Sequence, residues 1–214
     1  MTRTALLAGS TGLIGTQLLQ QLLDDTRYAQ IIALSRRPLA PQHPRLSVLL
    51  SDLQDLSSLA SEMKADDVYC ALGTTIAKAG SREAFAQVDH GMVMTLANAA
   101  HRAGSRRFML VSAVGSSVKS PAFYSRVKGE VERDLRAVGF DALHIVRPSL
   151  LLGERSESRP GEQIAQRLAP ALGLITRGPL ARYAPVSAAD VAKKMIACAF
   201  SGQRGVQVHE APFA

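Results

Sequence analysis

The chain has 214 residues, 47% of them apolar, with 25 basic against 18 acidic side chains for a formal net charge of +7. That apolar share excludes a disordered chain, and the length suits one domain, residues 1–214, around one large core. No apolar run is long enough to cross a bilayer, and the opening "MTRTALLAGSTG" meets glycine too soon for a secretory signal, so the expectation is a cytoplasmic protein with no membrane partner.

Residues 4–9, "TALLAG", form a short apolar run ending in glycine and predict a buried first strand. A helix follows over 13–25, with apolar residues at 13, 14, 18, 19, 22 and 23. Strands are predicted at 30–35 and 45–50, then a short helix over 55–63 and a fourth strand at 67–72. Residues 81–104 predict one long helix, closed by Gly104 and carrying His101 and Arg102 in its last turn, where cations suit the helix dipole. Strand five is predicted at 106–112, a helix at 121–138 with Pro121 near its start and Gly139 at its end, and strand six at 141–148. A helix capped by Ser187, with Asp190 three residues on, follows over 186–200, and a last short strand over 205–209. Strands separated by helices imply right-handed crossovers. The predicted fold is α/β, a doubly wound parallel sheet of the Rossmann type flanked by helices. Between them, residues 153–186 form a small C-terminal substrate or lid segment, rich in Gly and Pro, with five arginines (155, 159, 167, 177, 182).

Cys70 and Cys198 fall in a predicted strand and helix and read as small buried residues rather than a disulfide or metal site. The five histidines have no metal-ligand spacing, so no metal is predicted. The basic residues are scattered rather than gathered on one helix or tail, which argues against a nucleic-acid partner.

Ligands of such sheets bind beyond the carboxyl ends of the strands. After strand one, "GSTGLIG" sets Gly9, Gly12 and Gly15 at the opening of a helix. Glycine lets the backbone approach a pyrophosphate, and the helix start offers free N–H groups and partial positive charge. An Asp or Glu at the end of strand two would bind the ribose hydroxyls of NAD. Here that strand ends "SRRP", and Arg36 and Arg37 suit a phosphate, so NADP(H) is expected over NADH. The competing reading is a pair of solvated loop arginines. Asp52 and Leu53 follow strand three, where Asp52 either accepts from the adenine amine or caps the next helix. Leu72, Gly73 and Thr74 follow strand four, where Gly73 would let the backbone pass close to a dinucleotide or simply turn.

Ser112 ends strand five, and Tyr124 and Lys128 lie one helical turn apart on the next helix. A free tyrosine, with a pKa near 10, gives up its proton poorly at neutral pH. A neighbouring ammonium stabilises the phenolate, and a serine hydroxyl can hold a substrate oxygen as charge develops on it.

With these motifs in place the sequence resembles the short-chain dehydrogenase/reductase superfamily. "GSTGLIG", "LGTT", Ser112, "YSRVK" and "RPSLLLG" look like its extended and atypical branches. "VSAVGSSVKSPAFYSRVKGEVE" and "FAQVDHGMVMTLANAAHRAG" look like the atypical subgroup of the HIV Tat-interacting protein. The resemblance implies pyrophosphate binding by Gly9, Gly12 and Gly15 with the amides of Thr11, Leu13 and Ile14. It implies a trio of Ser112, Tyr124 and Lys128, in which Tyr124 and Lys128 also meet the cofactor, with Pro148 and Ser149 beside the nicotinamide amide. Many relatives carry an Asn on the fourth helix that supports a proton-relay water; here Asp89 or His90 stands in that neighbourhood. Relatives often dimerise through the two long helices, so monomer and homodimer are both open. The leading expectation is an NADPH-dependent reductase or dehydrogenase of a small carbonyl or alcohol. A cofactor-sensing protein without turnover and a nucleotide-sugar epimerase or dehydratase compete with it.

Overall fold

The first apolar run forms β1 (Arg3–Ala8), buried along its last four residues, in a computed structural model that describes residues 2–149, 151–152 and 184–213. β1 pairs in parallel with β2 (Tyr28–Ser35) on one side and β4 (Asp67–Cys70) on the other, and β3 (Leu46–Leu50) continues from β2. β5 (Arg107–Val111) and β6 (Ala142–Arg147) extend the sheet beyond β4. Two-residue strands β7 (Leu151–Leu152) and β8 (Val186–Ser187) pair with each other outside it, and β9 (Gly205–Glu210) closes the far edge. The order is β3-β2-β1-β4-β5-β6-β9 over seven strands, with every pairing parallel.

A parallel sheet has to be covered on both faces. Successive residues of β1 point to opposite faces. Ala5 and Leu7 join Leu18 and Leu22 of α1 (Leu13–Asp24) with Val191 and Met195 of a C-terminal helix. Leu6 and Ala8 join Leu96, Val131 and Leu135 on the other face. Those three come from α4 (Met92–Arg102) and α5 (Phe123–Val138); α2 (Ile76–Ala79) and α3 (Arg82–Ala86) precede them, and the C-terminal helix is α6 (Ala188–Ala199). The expected doubly wound Rossmann sheet is therefore the observed one. No helix among the described residues is long and apolar enough to cross a membrane.

Three local expectations change. The helix expected over 55–63 is a single 3-10 turn, Ser57–Leu59, because Asp55 takes the Ser57 N–H at 2.8 Å and the Ser57 hydroxyl at 3.0 Å, competing with helical pairing. The long helix expected over 81–104 is α3, then a π-helical segment Gln87–Gly91, then α4. Such inserts cluster at functional sites. The helix expected from 121 begins at Phe123. The Ser187 cap stands as expected, its hydroxyl oxygen accepting from the Asp190 N–H at 3.0 Å. The lid expected over 153–186 lies outside the described residues except for 184–186.

At the start of β4, Asp67 is fully buried and gathers donors from three strands. Its Oδ2 accepts from the Tyr28 hydroxyl at 2.8 Å and from Arg3 at 3.4 Å, and its Oδ1 from Arg107 Nε. Tyr69 lies 2.7 Å from the Tyr28 hydroxyl. Burial, aided by Asp67, pushes both phenols far up, so they stay protonated and able to donate. Asp67→Ala strands these donors in the core. Since the arginines keep partial access to water, the expected cost is about 3 kcal/mol, read from urea unfolding. A loss below about 1 kcal/mol, the size of one ordinary hydrogen bond, would refute the structural weight placed on Asp67.

Candidate active site

The turn from β1 into α1 holds Gly9 at φ +88°, and a Cβ built there would lie 2.6 Å from the Ala71 carbonyl. A Cβ on Gly15 would strike the Gly9 carbonyl. Both positions thus need glycine for close backbone approach. The Gly12 N–H donates to Gly9 O at 3.0 Å, and Gly12 caps α1 with no side-chain acceptor and no acid in the first turn. The amides at Leu13 and Ile14 therefore remain for an anion at the helix start, with Thr11 and Gly12 exposed at its mouth and the Ile14 side chain in the core. The Ser10 hydroxyl, in the same turn, is buried and has no hydrogen-bond partner among the described residues. Such an orphan costs about 1–3 kcal/mol. An orphan hydroxyl, a Cβ-free cradle and an uncapped helix start together fit a dinucleotide phosphate.

At the end of β2, Arg36 and Arg37 are exposed, and neither guanidinium has a partner among the described residues. Asp52 is exposed too. It caps no helix, as the sequence allowed, but accepts the Gln54 N–H at 3.0 Å in an Asx turn. Leu53 beside it is buried and held at φ +66°, a conformation rare for leucine.

Residues 71–74 connect this cradle to the predicted trio. Ala71 and Leu72 press against Gly9. Gly73 runs past Asp89 and Lys128, where a Cβ would come within 3.4 Å of Asp89 Oδ1 and 3.7 Å of Lys128 Nζ. The Thr74 N–H donates to Asp89 Oδ2 at 2.8 Å. Asp89 sits in the π-helical segment and is 1% exposed. Lys128 is 4% exposed, and its Nζ lies 2.8 Å from Asp89 Oδ1, an ion pair by distance although Oδ1 accepts no well-aligned hydrogen bond. Burial is the largest influence on Lys128 and acts to pull it down. Asp89 and Tyr124 outweigh burial, and the net result holds the ammonium above its usual range. Of the two candidates on this helix, Asp89 alone faces Lys128. His90 pairs instead with Asp134 at 2.8 Å.

Tyr124, on the first turn of α5, is 39% exposed and packs its ring 5.5 Å from that of Phe85. Ser112 follows β5 directly, anchored by its N–H to Val146 O at 2.8 Å. Its hydroxyl donates to Glu132 Oε1, and its oxygen lies 3.1 Å from that of Ser116. Glu132 is itself buried and gripped by Arg147, which holds its two oxygens at 3.0 and 2.6 Å and reaches Glu210 at 3.0 Å. With its one proton on Glu132, Ser112 presents lone pairs and not a donor. Pro148 O accepts from Val114 N–H at 3.0 Å, and the Ser149 hydroxyl donates to Ala184 O beside the β7–β8 pair.

The structure thus joins Gly9, Gly73 and Lys128 through one strand-end loop, puts Tyr124 on the Lys128 face of α5, and ties Ser112 to the same helix through Glu132. Glu132 and Arg147 were not singled out from the sequence. The signal was present, because Tyr124, Lys128 and Glu132 recur every four residues and form one stripe of α5.

A family profile described as NAD(P)H-binding matches residues 9–201. The chain is similar to the mitochondrial fmp52 protein of Aspergillus niger, 38% identical over 83% of this chain and 79% of that one. It is likewise 38% identical to the mitochondrial FMP52 protein of Candida albicans, over 92% of this chain and 88% of that one. Among solved structures it superposes on WbmH of Bordetella bronchiseptica in complex with NAD+, with TM-score 0.72, 16% identity, and 99% and 76% of the two chains covered. The UDP-N-acetylglucosamine 4-epimerase of Methanobrevibacter ruminantium gives TM-score 0.72 at 17% identity, covering 98% and 76%. The fmp52 names correct the cytoplasmic expectation, since they point to mitochondria. An organelle address is read from a targeting segment, so apolar patterning of the folded domain carried no information on it.

Proposed function

The chain belongs to the NAD(P)H-binding family, and on that premise we propose that it is an atypical short-chain dehydrogenase/reductase, an NADPH-preferring oxidoreductase of a small carbonyl or alcohol. The observation that carries the proposal is the buried Lys128, one turn from the half-open Tyr124, beside the strand-end loop that also closes the glycine cradle. Bound NADPH supplies the hydride. Tyr124 delivers a proton to the oxygen of the reacting carbon, or removes one in the oxidative direction. Lys128 holds the nicotinamide ribose and sets a buried positive charge one helical turn from Tyr124. Asp89 fixes Lys128 and the Gly73–Thr74 backbone. Ser112, its proton engaged by Glu132, does not donate to the reacting oxygen but offers lone pairs to a second hydroxyl or a water beside it. Pro148 and Ser149 bound the nicotinamide end.

Supplying NADPH with a panel of aldehydes and ketones, and NADP with alcohols, tests the reading. Turnover of any member supports it, and tight NADPH binding with no turnover across the panel rejects it. That second result would favour a sensor that binds cofactor without chemistry. Two members of the trio already being engaged, Ser112 by Glu132 and Lys128 by Asp89, gives the sensor its support.

NADPH preference rests on Arg36 and Arg37, exposed at the end of β2 with no acid beside them. A charge-assisted hydrogen bond to the 2′-phosphate contributes about 1.5–3 kcal/mol, so Arg36→Ala is expected to weaken NADPH about 10- to 100-fold and to leave NADH within about twofold. Fluorescence titration of both cofactors checks this. Equal losses for the two, or tighter NADH in the parent protein, would sink the preference.

A further inference from the structure

His144, Cys198 and His209 are far apart in sequence and meet on the sheet face opposite α5. His144 shares its β6 face with Val146, the face that α6 covers, and Cys198 is in the last turn of α6. His209 lies on β9, opposite Val146 in the register. One ligand atom from each residue lies within 4.8 Å of the others. His144 Nδ1 is 3.1 Å from His209 Nε2. A tetrahedral zinc ion with its usual Zn–N bonds of about 2.0–2.1 Å sets its nitrogens about 3.3 Å apart, so the pair is already near ligand spacing. The two rings are close to parallel, 16° between planes. His144 and Cys198 are buried and His209 is half-buried, so the cluster opens toward the β9 edge.

His144 Nε2 is buried with no hydrogen-bond partner among the described residues. A cation held by Nδ1 leaves Nε2 as it is, so the pairing of Nδ1 with His209 and the approach of Cys198 carry the site. Burial first, then His209 and Lys194, holds His144 down to about 4, which keeps the imidazole in its neutral, ligating form. Lys194, one turn before Cys198 on α6, is the cation that acts on all three groups. It opposes a bound cation by repulsion and favours neutral imidazoles, while burial outweighs it at Cys198 and pushes the thiol up to about 11, so the thiol keeps its proton until a metal displaces it.

We infer that His144, Cys198 and His209 form a binding site for a thiophilic divalent cation, zinc in the first instance. Two imidazoles and one thiolate are a borderline-soft set that suits Zn2+ rather than Mg2+ or Ca2+. Binding replaces the S–H bond of Cys198 with a metal–sulfur bond and releases that proton to solvent. Three protein ligands leave a fourth position for water. Sequence spacing gave no hint of this site, because each ligand comes from a different element.

The test is metal titration of the full chain. Co2+ is expected to bind at one equivalent with a thiolate-to-metal charge-transfer band, Zn2+ to abolish that band by displacement, and Zn2+ alone to raise the melting temperature. His144 is fully buried, so the informative variants are Cys198→Ser and the half-buried His209→Gln. The first is expected to lose the band. The second is expected to bind more than about tenfold more weakly, since even loss of an outer-sphere partner costs that much. No band in the parent protein, a band that persists in Cys198→Ser, or affinity unchanged in His209→Gln would each overturn the site.

Discussion

Tyr124→Phe lowers the turnover of any substrate this protein reduces by about 10²- to 10⁴-fold, the range that a positioned proton donor contributes. It leaves NADPH affinity close to that of the parent. The two halves of this result separate chemistry from binding. The substitution removes one hydroxyl from a side chain that is 39% exposed and keeps the ring against Phe85 at 5.5 Å, so the fold has no reason to change. Lys128 retains Asp89 and the glycine cradle is untouched. Turnover and NADPH fluorescence, measured on one preparation, decide the matter. If turnover survives the change, the proton comes from elsewhere, and the assignment of Tyr124 as acid/base is wrong. If cofactor affinity falls in step with turnover, Tyr124 holds the cofactor, and the sensor reading gains.

The architecture was legible because buried parallel strands and their crossover helices write a strong, alternating pattern. Gly9 and Gly15 were legible as well, since only glycine fits where a Cβ would meet Ala71 or the Gly9 carbonyl. The spacing of Tyr124 and Lys128 alone describes a solvated helix face as well, and it was their place after strand five, with Ser112 at its end and the glycine turn before it, that singled them out. The electrostatics of the site could not be read. Asp89 reaches Lys128 through a π-helical segment, and an amphipathic pattern run at 3.6 residues per turn cannot announce one extra residue. That insert also decides between neighbours, sending Asp89 inward and His90 to Asp134. Glu132 was hidden for a different reason. Acids on helices are usually solvated, and Arg147, arriving from β6, together with the Ser112 hydroxyl makes a buried one there tolerable. Ser112 shows the consequence: its position followed from sequence, and the direction of its proton depended on an acid 20 residues away.

Asp89→Asn tests the feature in which this site departs from the expected pattern. The variant keeps a carbonyl to accept the Thr74 N–H, now at 2.8 Å from Oδ2, and loses the charge opposite Lys128. Breaking a buried pair in this way leaves an ammonium with no counter-charge and is expected to cost about 3–5 kcal/mol at neutral pH. The sign of its pH dependence is the sharper check. In the parent protein the folded state holds Lys128 above its ordinary value of 10.5, so that contribution is full below 10.5 and is lost as pH rises through the folded value. In Asp89→Asn burial remains against the weaker upward influences of Tyr124 and Cys70, and burial, the largest influence, drives Lys128 below 10.5. The unfolded chain then binds the extra proton, so the deficit is greatest at neutral pH and shrinks on the approach to 10.5. Urea unfolding between about pH 7 and pH 10, on either side of the range where a perturbed lysine titrates, should therefore show the gap between the two proteins closing as pH rises. If turnover needs the Lys128 ammonium, the alkaline limb of the rate profile also moves to lower pH in the variant. A gap that stays constant with pH would mean that Asp89 supports the Gly73–Thr74 backbone and does not set the charge of Lys128.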